Sequence, residues 1–251
     1  MGLAEDVATE VNVITKTPWS IRDSKSVPDA DDIALKRNGA VRLDATYVYA
    51  DLAKSSELAQ RAFPQVTGQI IRCYINTAAR ILKAHGGAIR SFDGDRVMAI
   101  YVGDNRNYAG VKAALTLQWA VHLVLNPALT ATWSDLNSFW RMEHAVGVAT
   151  GPCLIARGGV YGDNDLISIG QAPNLAAKLS DVRNGRHSIF ITENVYSTLP
   201  SELRLVKVPS IYPGMYPSTQ VREMWAPLGQ HNIGGTFVHY RGTEDHWNPI
   251  G

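Results

Sequence analysis

The chain has 251 residues, 45% of them apolar, and a formal net charge of +1. That length suits one elaborated domain, or one domain with extensions, and is ample for a core. A charge so near zero supplies no broad field for nucleic acid or an anionic membrane, so any anion binding has to come from a local site. Cys73 and Cys153 make neither a disulfide framework nor a metal-ligand spacing. Met1 to Lys16 carries acids and lacks the continuous apolar core of a signal peptide. No apolar run approaches the roughly 20 residues that span a bilayer. The expectation is a cytoplasmic protein with no membrane and no nucleic-acid partner.

Residues 1–38 are polar and read as an N-terminal extension, with a short helix over 29–37. Val41 to Asp44 reads as a buried strand that opens the core at 39–204. A helical region follows, interrupted by Pro64. Ile71, Ile75, Ala78 and Leu82 then repeat near 3.6 residues, the mark of a packed helix. His85-Gly86-Gly87 stops it. Gly87 to Phe92 and Arg96 to Val102 alternate as strands, with Asp93-Gly94 as hairpin turn chemistry. A helix from about Tyr108 to Leu125 is closed by Pro127. Glu143 to Thr150 is a strand stopped by Gly151-Pro152. Cys153 to Ala156 and Tyr161 to Ile169 follow as strands around the turn Arg157-Gly158-Gly159. Pro173 opens a helix at its first turn, where a missing N–H is harmless. Ser188 to Thr192 is a last strand, and Glu193 to Thr198 a short helix. Residues 205–251 read as a C-terminal extension with β-rich stretches. This order implies an α/β sandwich, with helices over a mostly antiparallel sheet.

Two carboxylates stand out. Asp44 ends the apolar stretch Ala40-Val41-Arg42-Leu43, and Asp95 follows the hairpin turn. If their strands are neighbours, the pair can hold two hard cations roughly 3.5–4 Å apart for an in-line displacement. The plain alternative is a helix cap and a turn residue, since Asp favours both. Asn174 and Lys178 are i and i+4, so they share one helical stripe beside the buried pair Leu175 and Leu179. An amide and an ammonium there suit a ribose oxygen and a phosphate. A solvated face is the alternative. Histidines and tryptophans show neither zinc-ligand spacing nor a stacking platform.

Together, Val41-Arg42-Leu43-Asp44, Phe92-Asp93-Gly94-Asp95-Arg96, Val146 to Gly151 and Ile169 to Leu179 resemble the class III nucleotidyl cyclases over about residues 40–200. The resemblance implies a head-to-tail homodimer with a nucleoside triphosphate in the interface. Asp44 and Asp95 would bind two Mn²⁺ or Mg²⁺ ions, aided by the Ala45 carbonyl. Asn174 and Lys178 would come from the partner, to orient the ribose and to neutralise charge at the α-phosphate. Lys178 stands where the family has arginine, and so lacks the bidentate fork. The purine-reading positions are Ser91 and Ile167, which offer neither the adenine nor the guanine pair. Losing such a pair leaves a buried base edge unpaired. Tyr47 falls where the family has a loop glycine; it either shortens the pocket or packs in the core. These departures resemble the pyrimidine branch, the Pycsar uridylate and cytidylate cyclases of anti-phage defence. That implies UTP or CTP as substrate and a separate effector that senses the cyclic product. Arg90 and Arg96 are candidates for reading the pyrimidine edge. The alternatives are a divergent purine cyclase, an inactive nucleotide-binding module, or a polymerase-like palm, the last disfavoured by charge.

Overall fold

A computed structural model describes residues 2–33, 38–160, 163–209, 219–233 and 235–249. The N-terminal segment forms a helix, α1 (Leu3–Lys16), with no buried residue. The Asn38 amide donates to the carbonyls of Ile14 and Thr17 and so ties its end to the body. β1 (Ser20–Asp23) follows. Instead of a helix over 29–37 there is a single 3-10 turn at Ala30–Asp32, and residues 34–37 lie outside the described set.

β2 spans Gly39–Leu52. It does not stop at Asp44, because Thr46-Tyr47-Val48-Tyr49 is β-branched and aromatic and pairs on both sides. Lys54, in the left-handed region at φ 59, turns the chain into α2 (Ser55–Arg61). Pro64 then opens α3 (Pro64–Ala84). Its buried stripe is Ile70, Tyr74, Ala78 and Leu82; Ile71 and Ile75 flank it, half-buried. β3 (Ala88–Asp93) and β4 (Arg96–Tyr101) form the expected hairpin, with Gly94 at φ 60. α4 (Arg106–Ala120) passes through one wide π turn at Val121–Leu125 into α5 (Asn126–Thr132). Pro127 does not end this helix, because it falls in the first turn of α5, where no N–H is missed.

β5 (His144–Val160) runs unbroken through Gly151-Pro152. Arg157-Gly158-Gly159 is paired strand rather than a turn, matched to β6 (Asp163–Ile169). The link at 161–162 lies outside the described residues. α6 (Gln171–Ser180), β7 (Ile189–Thr192) and α7 (Glu193–Tyr196) follow. β8 (Leu205–Pro209) pairs with β9 (Thr219–Glu223) in a separate ribbon. β10 (Ala226–Ile233) and β11 (Thr236–Thr243) complete the main sheet. Its order is β10-β11-β7-β5-β2-β4-β3, with β1 beside β2 and β6 beside β5. Among the described residues, only β1·β2 and β5·β7 are parallel. Both end segments therefore add strands to one sheet.

One face of the sheet packs on α3 and α4 through Val48, Ala50 and Val97. The other packs on α6 through Ala45, Tyr47, Ala172 and Ala176. α6 approaches β5 at Gly147, where any added Cβ would overlap the Ala176 carbonyl oxygen. On the other face of β5, His144 is buried. Its Nε2–H donates to Gln118 Oε1, so its Nδ1 accepts from the Tyr74 hydroxyl at 3.4 Å. Burial, with help from His122 and Arg183, holds His144 down at about 3.

Two predictions follow from this packing. Gly147→Ala should destabilise the fold by about 3 kcal/mol in urea unfolding, since backbone has to give way; unchanged stability would contradict the close approach. Below the ordinary histidine value near 6.5, the unfolded chain takes up a proton that native His144 refuses. Its contribution is full above that pH and falls by up to about 1.4 kcal/mol per unit as pH drops toward 3. Between pH 7 and 5, His144→Gln should therefore lose about 2 kcal/mol less than the wild type. Equal losses would show that His144 protonates in the native state.

Candidate active site

The β2–β4 register sets the site. Arg96 lies opposite Asp51, and the Leu52 N–H donates to the Asp95 carbonyl at 3.3 Å. Asp51, at the end of β2, and Asp95, in the hairpin turn, are thus neighbours. Asp44 is elsewhere. It precedes Asp51 by seven positions, roughly 23 Å at about 3.3 Å per residue. The odd step also places it on the opposite face of the sheet. There it pairs with Arg106 at the start of α4. The expected Asp44–Asp95 pair does not form, because the strand it was thought to end continues past it.

The residue after Asp44 shifts with it. Ala45 is fully buried, and its carbonyl accepts from Thr150 Oγ1 at 3.2 Å. Tyr47 is also fully buried; its hydroxyl donates to Cys153 Sγ at 3.2 Å. Burial, then the neighbouring thiol, pushes this phenol well above its ordinary value. Tyr47 is core, not a pocket wall. Tyr49, two residues before Asp51 on the same face, is only half-buried. Burial pushes its phenol up, Arg96 opposes this, and Asp93 adds to it.

The Asp51 side chain is 12% exposed. Oδ1 accepts from Arg96 Nε at 3.2 Å and Oδ2 from Arg183 Nη2 at 2.5 Å. Arg96 also reaches Asp181. Burial raises the Asp51 pKa; Arg96 and Arg183 oppose this, and nearby Asp95 adds to it. Two acids this close, one of them desolvated, are oxygen donors suited to a hard divalent cation. Among the described residues no group of three or more His, Cys, Asp or Glu forms a closed metal cage. A two-carboxylate arrangement fits cations that take their remaining ligands from phosphates and water.

Asn174 and Lys178 share an exposed stripe of α6, while Leu175, Ala176 and Leu179 are buried beneath. Among the described residues, no hydrogen bond or ion pair reaches either side chain. Ser91 lies on β3 and Ile167, 48% exposed, on β6. Within the subunit, β4, β2 and β5 separate these strands. Arg90 is held by Asp29 and Arg96 by Asp51. Sequence reasoning passed over Asp51. The available signal was the strand-forming run Thr46 to Tyr49, followed at Asp51 by a loop and then a helix.

No family model matches the chain. It is 41% identical to a uridylate cyclase of Rhodovulum sp. (strain MB263) over 197 residues, covering 78% of this chain and 82% of that one. A uridylate cyclase of Burkholderia cepacia is 35% identical over 235 residues, 93% of this chain and 95% of that one. The fold is similar to that of the adenylyl cyclase CyaB from P. aeruginosa, with a TM-score of 0.62 at 21% identity over 84% of this chain and 99% of that one. The guanylyl cyclase Cya2 gives 0.62 at 16% identity over 83% and 95%. With relatives this similar over most of its length and a class III cyclase fold, the chain is a nucleotidyl cyclase and belongs to the uridylate cyclase family.

Proposed function

We propose that the protein converts UTP to its 3′,5′-cyclic monophosphate and pyrophosphate, in a homodimer with composite sites. The observation that carries this reading is the Asp51–Asp95 pair at the end of β2, in a chain whose relatives are uridylate cyclases. Asp51 and Asp95 hold two divalent cations, Mn²⁺ or Mg²⁺, with the Leu52 carbonyl in the role expected of Ala45. When bound, such ions neutralise charge on the phosphates and favour in-line displacement.

The ribose 3′-hydroxyl oxygen forms its bond to the α-phosphorus as the bond from that phosphorus to the bridging α–β oxygen breaks, and the hydroxyl proton ends on the pyrophosphate that leaves. Positioning and charge supply most of the catalysis. Asn174 and Lys178, exposed and unpartnered in their own subunit, serve the neighbouring subunit's site. Asn174 orients the ribose, and Lys178 meets the charge growing on the α-phosphate as a point charge. Ser91 and Ile167 do not present a purine-reading pair. Ile167 brings only hydrocarbon, so a buried purine edge would go unpaired. Tyr49 and Arg96 are the side chains near the carboxylates that remain for a smaller ring. A cyclic pyrimidine nucleotide made in the cytoplasm suits a signal read by a separate effector, as in anti-phage defence.

Incubation with Mn²⁺ and each of the four nucleoside triphosphates should give cyclic UMP as the dominant product by mass spectrometry. Cyclic CMP or a cyclic purine nucleotide as the main product would overturn the substrate assignment. Asp51→Ala and Asp95→Ala should each cut turnover by about 10³-fold or more, while Asp44→Ala should stay within a few-fold of wild type. An active Asp51→Ala protein would remove the carboxylate pair from the mechanism. Mixing the inactive Asp51→Ala and Asn174→Ala proteins should restore activity, because one site of the mixed dimer is then intact. No recovery would mean that Asn174 serves its own subunit.

A further inference from the structure

The turn after α6 carries a group that the reaction above leaves unused. Arg183 Nη1 donates to the carbonyls of Ser180 at 2.6 Å and Val182 at 3.1 Å. Its Nη2 donates to Asp51 Oδ2. One guanidinium thus joins the end of α6 to a buried carboxylate, whose other oxygen is taken by Arg96. Asp181 faces the same cluster through Arg96.

Beside Arg183 opens a cavity of about 630 Å³ that reaches the turn following Asp51. Its walls carry Lys54, Arg141, Arg183 and Arg186 against the carboxylate of Glu143. Lys54 is paired to Glu143 at 2.9 Å, and Arg186 stands 3.8 Å from Glu244. Positive charge is in excess there, and the planar fork of an arginine matches phosphate oxygens. Asp51 cannot give the same oxygen fully to a cation and to Arg183. A guanidinium released from it needs another anion, and the cavity lies within its swing.

Resting on the assignment of Asp51 to the cyclase site, we propose that Arg183 is a substrate-binding residue that exchanges partners. It holds Asp51 until a divalent cation takes that carboxylate. It then turns into the cavity and binds the β- or γ-phosphate of the substrate, and afterwards the pyrophosphate. Metal binding and phosphate binding are thereby linked through one side chain of the same subunit.

The test uses the full chain and reads Mn²⁺ binding without nucleotide, from the EPR signal of the free ion, alongside UTP kinetics. Arg183→Gln should bind Mn²⁺ about fivefold more tightly, the equivalent of one partly buried ion pair. Its KM for UTP should rise about tenfold, with kcat changed far less, because tail binding is made in both ground and transition states. Arg183→Lys keeps the charge and loses the fork, so it should shift both quantities in the same directions by less. Unchanged Mn²⁺ affinity in Arg183→Gln, with only a lower melting temperature, would show a helix-end tie and nothing more. If Arg183→Gln does not fold, Arg183→Lys decides alone: wild-type values for both quantities overturn the exchange. A wild-type protein that makes no cyclic UMP removes the substrate reading, while the Mn²⁺ titration still reports on Arg183 and Asp51.

Discussion

The pairing of β2 with β4 is the constraint on which the site depends. Because Asp51 stands opposite Arg96, the hairpin brings Asp95 to the end of β2. A slip of one residue would turn Asp51 to the other face of the sheet. Register is held firmly here, because β2 is paired along most of its length to β5 as well and is buried on both faces. Asp51 is fixed by the strand itself and Asp95 by a two-residue turn joined directly to β4, and groups held by regular structure and short turns are placed more tightly than groups on long loops.

Close packing of α6 is the second support. Gly147 lets the helix lie on β5 with backbone nearly touching backbone, and the small residues Ala172 and Ala176 allow the same. The end of α6 then reaches the end of β2, where Asp181 and Arg183 meet Arg96 and Asp51. Behind them, the buried, neutral His144 satisfies Tyr74 and Gln118. A buried polar chain that is fully paired favours one arrangement of the core over others.

The element order, the hairpin at Asp93-Gly94 and the stripe of Asn174 and Lys178 were legible in the sequence, because turn chemistry and 3.6-residue spacing are local signals. The identity of the first carboxylate was not. Asp44 follows a short apolar run and looks like a strand end, yet a polar residue on an exposed face interrupts nothing in the ladder. Whether a strand stops at Asp44 or at Asp51 is decided by pairing with β4 and β5, which are more than 40 residues away. The same error carried Ala45 and Tyr47 with it. The glycine pair at 158–159 misled for a related reason: glycines in a long strand look like a turn when their partner strand is not in view.

Helix α6 is shared between two tasks. Its exposed stripe, Asn174 and Lys178, faces away from its own sheet, and its last turn leads to Arg183 on its own Asp51. In a head-to-tail pair each α6 therefore belongs to both sites at once. It is one rigid rod about 15 Å long, at roughly 1.5 Å per residue. A rod cannot move at one end alone. In the head-to-tail dimer proposed above, occupancy of one site would therefore be felt in the other through the position of a single helix.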